Sequence, residues 1–279
     1  MGFSRLFLFL LSSAFHINVS SSAQIAPDFM KSCNESNGIF TANSSYEANL
    51  NRLFSQLSSD QDFNYGFYNM SVGQSPDQVN AIALCRGDLQ EDFCRSCLND
   101  TIYALQQYCP YNKEAIGWSE LCTLRYSTHK IFGVMETDTF RPMWRAEWSG
   151  DNRSGPRDGN DFDRALSLLL KNLSVRAATG GPLFKFAAGL TDSSQIIYAL
   201  VQCTPDLSQQ NCSACLATAN DRMKYYCYGK TSCRILQPSC FLRYENNLFF
   251  DDNSVNITVV PFSPTANLFH CSVTLQYID

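Results

Sequence analysis

The chain has 279 residues, 45% of them hydrophobic and 17% charged, and a formal net charge of −5. This is a globular composition, outside the disordered class, and at about 100–150 residues per domain it suggests two domains. The acidic balance offers nothing to a phosphate backbone, which sets nucleic-acid binding aside.

Residues 1–23 read as a secretory signal peptide. Arg5 supplies the positive start, Leu6 to Leu11 form an apolar run extended by Ala14 and Phe15, and Ser21, Ser22 and Ala23 suit cleavage near Ala23. The run is too short to cross about 30 Å of hydrocarbon, and no later stretch reaches that length, so no membrane span is expected. N-x-S/T sequons at Asn34, Asn43, Asn69, Asn99, Asn152, Asn172, Asn211 and Asn256 predict a secreted glycoprotein.

Tyr46, Leu50, Leu53 and Leu57 have the spacing of one helix face. A short strand is expected over 66–72. A second helix follows Cys85, with Cys94, Cys97, Leu98, Thr101, Leu105, Tyr108 and Cys109 on one face. Its C-x2-C pair points inward on one turn, where each sulfur can reach a different partner. Cys122, Leu124 and Tyr126 alternate with polar residues as in a strand, and 130–135 is expected to close the sheet.

The pattern then starts again. Phe162, Leu166, Leu169 and Leu173 repeat the first helix face, and 183–189 the strand after it. Gly73 and Gly189 keep the same offset as those faces. Cys85, Cys94, Cys97, Cys109 and Cys122 return 118 residues later as Cys203, Cys212, Cys215, Cys227 and Cys240. The second helix face reappears as Cys212, Cys215, Leu216, Ala219, Met223, Tyr226 and Cys227. Cys240, Leu242 and Tyr244 repeat the strand, and 248–250 its closing partner. The chain is a tandem of one cysteine-stapled unit written C-x8-C-x2-C-x11-C-x12-C. Each copy is expected to be α+β, an antiparallel sheet packed with two helices. The expected boundaries are 27–137 for the first domain, 138–156 for a linker, 140–262 for the second domain overlapping it, and 263–279 for a tail. Trp144 and Trp148 are expected to seal the interface between the copies; an exposed indole there would instead suggest a sugar or partner surface.

The spacing resembles the plant ginkbilobin-type domain, also called the stress-antifungal or cysteine-rich repeat domain. Asp88-Leu89 and Asp206-Leu207, and Arg125-Tyr126 and Arg243-Tyr244, add to the match. Tandem copies behind a signal peptide are similar to plant cysteine-rich repeat secretory proteins and to the ectodomains of cysteine-rich receptor-like kinases. The resemblance implies bridges Cys33–Cys109, Cys85–Cys94 and Cys97–Cys122, then Cys203–Cys212 and Cys215–Cys240. In the second copy Ser149 stands where Cys33 would be matched, so Cys227 is left to Cys233 or Cys271. Thirteen cysteines cannot all pair within one chain. Cys271 is the candidate for the odd one, either a buried free thiol or the link of a disulfide-bonded dimer.

The resemblance also implies a mannose site made of an Asn, an Arg and a Glu. The first copy offers Asn34, but Ile116 and Ser127 replace the other two. The second copy offers Arg234 and Glu245, but Gly150 replaces the Asn, with Asn152 close enough in sequence to substitute. A carboxylate, a guanidinium and an amide are a sensible sugar-binding set. The inert reading is a surface salt bridge between Arg234 and Glu245. C-x2-C also invites zinc or thiol redox chemistry, but a secreted chain oxidises its thiols, so no metal is expected. Only His129 and His270 remain after signal removal, and no hydrolase or phosphate-binding motif is present. The chain is expected to be a non-catalytic, cofactor-free module of the plant extracellular space, acting in defence or stress signalling on a protein partner. The alternative is a mannose-type antifungal lectin using the second domain.

Overall fold

A computed structural model describes residues 28–59, 64–144, 159–192, 196–253 and 256–261. The expectations for the signal peptide, Trp148, Ser149, Gly150, Asn152, Cys271 and the tail lie outside these residues.

The first half runs β1 (Met30–Cys33), α1 (Ser45–Ser59), β2 (Phe67–Val72), β3 (Val79–Cys85), α2 (Glu91–Tyr108), β4 (Ala115–Trp118) and β5 (Cys122–Ser127). The second runs β6 (Arg141–Met143), α3 (Gly159–Ala178), β7 (Phe186–Asp192), β8 (Tyr198–Cys203), α4 (Gln209–Tyr226), β9 (Cys233–Leu236), β10 (Cys240–Glu245) and β11 (Thr258–Pro261). The sheets read β1-β4-β5-β3-β2 and β6-β9-β10-β8-β7-β11. They share one order, with β11 added parallel to β7 on the outer edge of the second. The fold is α+β, two helices on one face of each sheet. β6 takes residues 141–143, placed by the sequence in both linker and second domain, into the second sheet.

The helices form where the spacing predicts. Tyr46, Leu50, Leu53 and Leu57 are buried on α1. Ser44 accepts from the Glu47 amide at 3.3 Å and Glu47 accepts from the Asn43 amide at 2.6 Å, which satisfies amide donors at the helix start. On α2 and α4 the inward faces hold Cys94, Cys97 and Leu98, and Cys212, Cys215 and Leu216. Tyr108 and Tyr226, read as inward, are half-exposed, because they sit on the last turn where each helix leaves the sheet.

The bridges in the structure are Cys33–Cys109, Cys85–Cys94, Cys97–Cys122, Cys203–Cys212, Cys215–Cys240 and Cys227–Cys233. Each C-x2-C pair thus ties one helix to two different strands. In the first copy Cys33 lies on β1 opposite Ala115 of β4. In the second copy Met143 lies opposite Arg234, so one further residue sets Trp144 against Cys233. Cys233 occupies the position of Ala115, 118 residues on. The bridge has moved from the edge strand to its neighbour. Continued by that one residue, the register puts Trp144 at the strand position that Cys33 holds in the first copy.

Each sheet turns a second, helix-free face toward the other copy. Ile116, Trp118 and Leu236 form one cluster there with Met30, Met143 and Phe241. The segments 130–135 and 248–250 are not closing strands. They are loops whose Ile131 and Phe250 are buried against these faces (Ile82 and Leu84; Ala188 and Leu200). Gly73 and Gly189 are not equivalent. Leu84 pairs Phe67 and its counterpart Gln202 pairs Phe186, so Gly189 corresponds to Met70.

Candidate functional site

The alternation along β4, β5, β9 and β10 decides the site. Tyr126, Leu242 and Tyr244 face the helices, while Arg125, Arg234 and Arg243 face the other copy. Guanidiniums in a half-dry interface need partners, and each has them. Arg125 reaches Glu114 and Glu136, each at 2.7 Å. Arg243 donates to Glu120 of the first copy at 2.9 Å and, through Nε, to Glu245 at 2.8 Å. It also lies over the Phe249 ring, 4.2 Å from its centroid. Arg234 donates to Asp28 of the first copy at 2.8 Å.

The sugar-triad positions are therefore not one site. Asn34 belongs to the first copy, where its amide turns to Glu114 at 3.4 Å and its carbonyl accepts from Ser36. Ile116 is buried in the interface, and Ser127 is buried with its hydroxyl accepting from the His129 amide. In the second copy Arg234 and Glu245 do come near one another, but not as a pair. Arg234 lies across from Arg243, and Glu245 is bound by Arg243. The expected Arg234–Glu245 salt bridge is replaced because carboxylates of the first copy compete for both arginines.

Both arginines form the floor of a cleft of about 600 Å³ between the copies. Its walls include Asp28, Phe93, Asp100, Glu120, Trp144 and Glu245. The floor is closed: the side chains of Arg234 and Arg243 are 14% and 7% exposed. The rim is open: Phe93 is 59% and Trp144 45% exposed. Trp144 does not seal the interface. Trp118 does, fully buried, its indole N–H donating to the Gln237 carbonyl at 3.3 Å. Sequence reasoning missed Asp28, Phe93, Asp100 and Glu120, which no motif marks. It held one usable signal, the repeated Arg-Tyr pair, whose tyrosines fill the cores and whose arginines lie on the opposite face of each sheet, Arg243 bonding to Glu120 of the first copy.

Further bonds join the copies away from the cleft. Gln202 donates to the Cys85 carbonyl at 3.0 Å and accepts from the Gly87 amide at 3.1 Å. Arg86 reaches the Phe249 carbonyl at 3.1 Å and Arg141 the Lys31 carbonyl at 3.1 Å. Arg222, bonded to Thr137 and Gln237, sits over Phe140, and burial lowers its proton affinity. No helix among the described residues is long and apolar enough to cross a membrane.

Comparison with known proteins agrees with this architecture. The salt stress response/antifungal family profile matches residues 32–129 and 149–247. Cysteine-rich receptor-like protein kinase 29 of Arabidopsis thaliana is 39% identical over 248 residues, 87% of this chain and 35% of that protein. The chain spans about a third of the length of the receptor kinases it matches. Cysteine-rich repeat secretory protein 38 of the same plant is 37% identical over 231 residues, 82% of this chain and 88% of the relative. The crystal structure of the tandem DUF26 ectodomain of the Arabidopsis thaliana cysteine-rich receptor-like protein PDLP8 superposes with a TM-score of 0.63 at 24% identity, over 77% of this chain and 95% of that one. The chain belongs to the salt stress response/antifungal family, as a tandem of two of its extracellular cysteine-rich domains.

Proposed function

We propose that the chain is a non-catalytic recognition module of the plant extracellular space, binding a protein partner in defence or stress signalling. The observation that carries this reading is the engagement of Arg234 by Asp28 and of Glu245 by Arg243. A sugar hydroxyl would have to displace charge-assisted bonds between largely buried groups, which are stronger than the ones it offers. Two domains fixed face to face present one rigid surface, and rigid surfaces suit protein recognition because little order is lost on binding. The relatives support the same reading, since their names describe secretory proteins and receptors.

A second reading, a mannose-type lectin using the second copy, has one observation in its favour. The half-exposed Trp144 stands in the cleft that Arg234 and Glu245 line, and an indole beside a carboxylate suits a pyranose. A glycan array and mannan pull-down of the secreted, enzymatically deglycosylated protein separates the two. Glycan binding that disappears in Arg234→Ala would overturn the protein-partner reading. No glycan binding, with the bridges intact by mass, supports it.

A further inference from the structure

Resting on that reading, we propose that the cleft between the copies is the recognition site, and that it takes an arginine or lysine side chain of a basic peptide segment. Four carboxylates, those of Asp28, Asp100, Glu120 and Glu245, line it against two guanidiniums, those of Arg234 and Arg243. The guanidiniums are spent on Asp28, Glu120 and Glu245. The excess is therefore acceptor capacity, and it lies at the open side. Asp100 is exposed on α2, and among the described residues its carboxylate makes no ion pair. Glu120 engages Arg243 through one oxygen, and its side chain is 36% exposed.

The aromatic residues stand on the same side. Phe93 and Trp144, from opposite copies, expose large parts of their rings to the cleft. An aromatic face attracts a cation, and a carboxylate beside it supplies the countercharge, so the rim matches the head and the aliphatic stem of a long basic side chain. The cleft is large enough for such a side chain with adjoining backbone. The net charge of −5 favours the approach of a basic partner. The site exists only in the tandem: Phe93, Asp100 and Glu120 come from the first copy, Trp144 and Glu245 from the second.

The test uses the full secreted chain and a fluorescein-labelled, end-capped peptide alternating glycine and arginine. An otherwise identical citrulline peptide is the neutral control, and mannotriose the sugar control. The expected result is saturable fluorescence anisotropy with the arginine peptide alone, weaker as salt rises from about 50 to about 300 mM. Asp100→Asn, Trp144→Ala and Phe93→Ser should each weaken it by roughly twofold to fivefold. Asp100→Asn alters an exposed helix position and keeps the Asn99 sequon, so it tests the cleft without threatening the fold. Equal binding of the citrulline peptide, binding unchanged in all three variants, or no saturable binding would each overturn the assignment. Competition by mannotriose would overturn it in favour of the sugar. Retention of a captured protein by Asp100→Asn, with no peptide binding, would sink the cleft and leave the protein-partner reading standing. Glycan binding through Arg234 would sink both.

Discussion

Asp88 and Asp206, 118 residues apart, each accept a backbone hydrogen bond from the opposite copy, and the donors are also 118 apart. Asp88 takes the Asp251 amide at 3.0 Å and Asp206 the Gly133 amide at 2.7 Å. The copies are thus joined like a two-fold dimer written into one chain, the same patch used twice. The acid of each Asp-Leu pair is an interface residue. The symmetry is broken in strength, because Asp88 also binds Arg86 through two bonds of 2.6 and 2.8 Å in a buried site.

That asymmetry sets an order of effects. Asp88→Ala strands the buried Arg86 guanidinium and should cost roughly 3–5 kcal/mol. Asp206→Ala removes one amide bond from a partly exposed position and should cost about 1 kcal/mol. Urea denaturation of the oxidised variants measures both. Equal losses would show that Arg86 does not depend on Asp88.

β11 lies against β7 through Gly189. A Cβ on Gly189 would stand 2.3 Å from the Thr258 carbonyl oxygen. The first copy has Met70 at this position. Gly189→Met should therefore displace β11 at a cost of roughly 1–3 kcal/mol. Hydrogen exchange should show the strand's amides losing protection while those of β8 and β10 keep theirs. Protection surviving at β11 would count against the close approach.

The relocated bridge closes a much shorter loop. Cys33–Cys109 spans a separation of 76 residues and Cys227–Cys233 one of 6. In the loop-entropy account Cys33→Ala should cost about 2 kcal/mol more than Cys233→Ala. Comparison of the denaturation midpoints, with each orphaned partner also changed to Ala, decides it. The six bridges use every cysteine but Cys271. Alkylation without reduction should label Cys271 in the monomer, or find it as the link of a dimer. Label on any other cysteine would contradict the pairing.

Burial raises the phenol pKa of Tyr46, Tyr126 and Tyr244 well above the ordinary 10.0, with the charges of Tyr126 and Glu114 adding to the effect at Tyr46, and that of Asp163 at Tyr244. Below pH 10 both folded and unfolded chains keep these protons, and stability does not depend on them. Above it the unfolded chain releases protons that the folded chain holds, so stability falls with rising pH, by up to about 1.4 kcal/mol per unit for each tyrosine. Urea midpoints on either side of that value should show the fall. Tyr126→Phe, which removes one ionisable phenol, should flatten it; an unchanged slope would place the alkaline transition elsewhere.

Much was readable from periodicity alone. Apolar spacing at 3.6 residues located α1 to α4, alternation located β5 and β10, and the fixed cysteine offset declared a tandem. These are local properties, because a side chain's direction follows from its own backbone. The sequence could not show that β1 and β6 complete the sheets, since edge strands of three or four residues carry almost no pattern. Nor could it show that 130–135 and 248–250 plug an interface instead of extending a sheet, since a buried loop and a buried strand are equally apolar. The roles of Arg234 and Glu245 were decided further away still. Asp28 lies 206 residues from Arg234 and Glu120 lies 123 from Arg243. Only the packing of one sheet on the other brings those charges within bonding distance, and the cleft's chemistry follows from which carboxylates it sets beside the arginines.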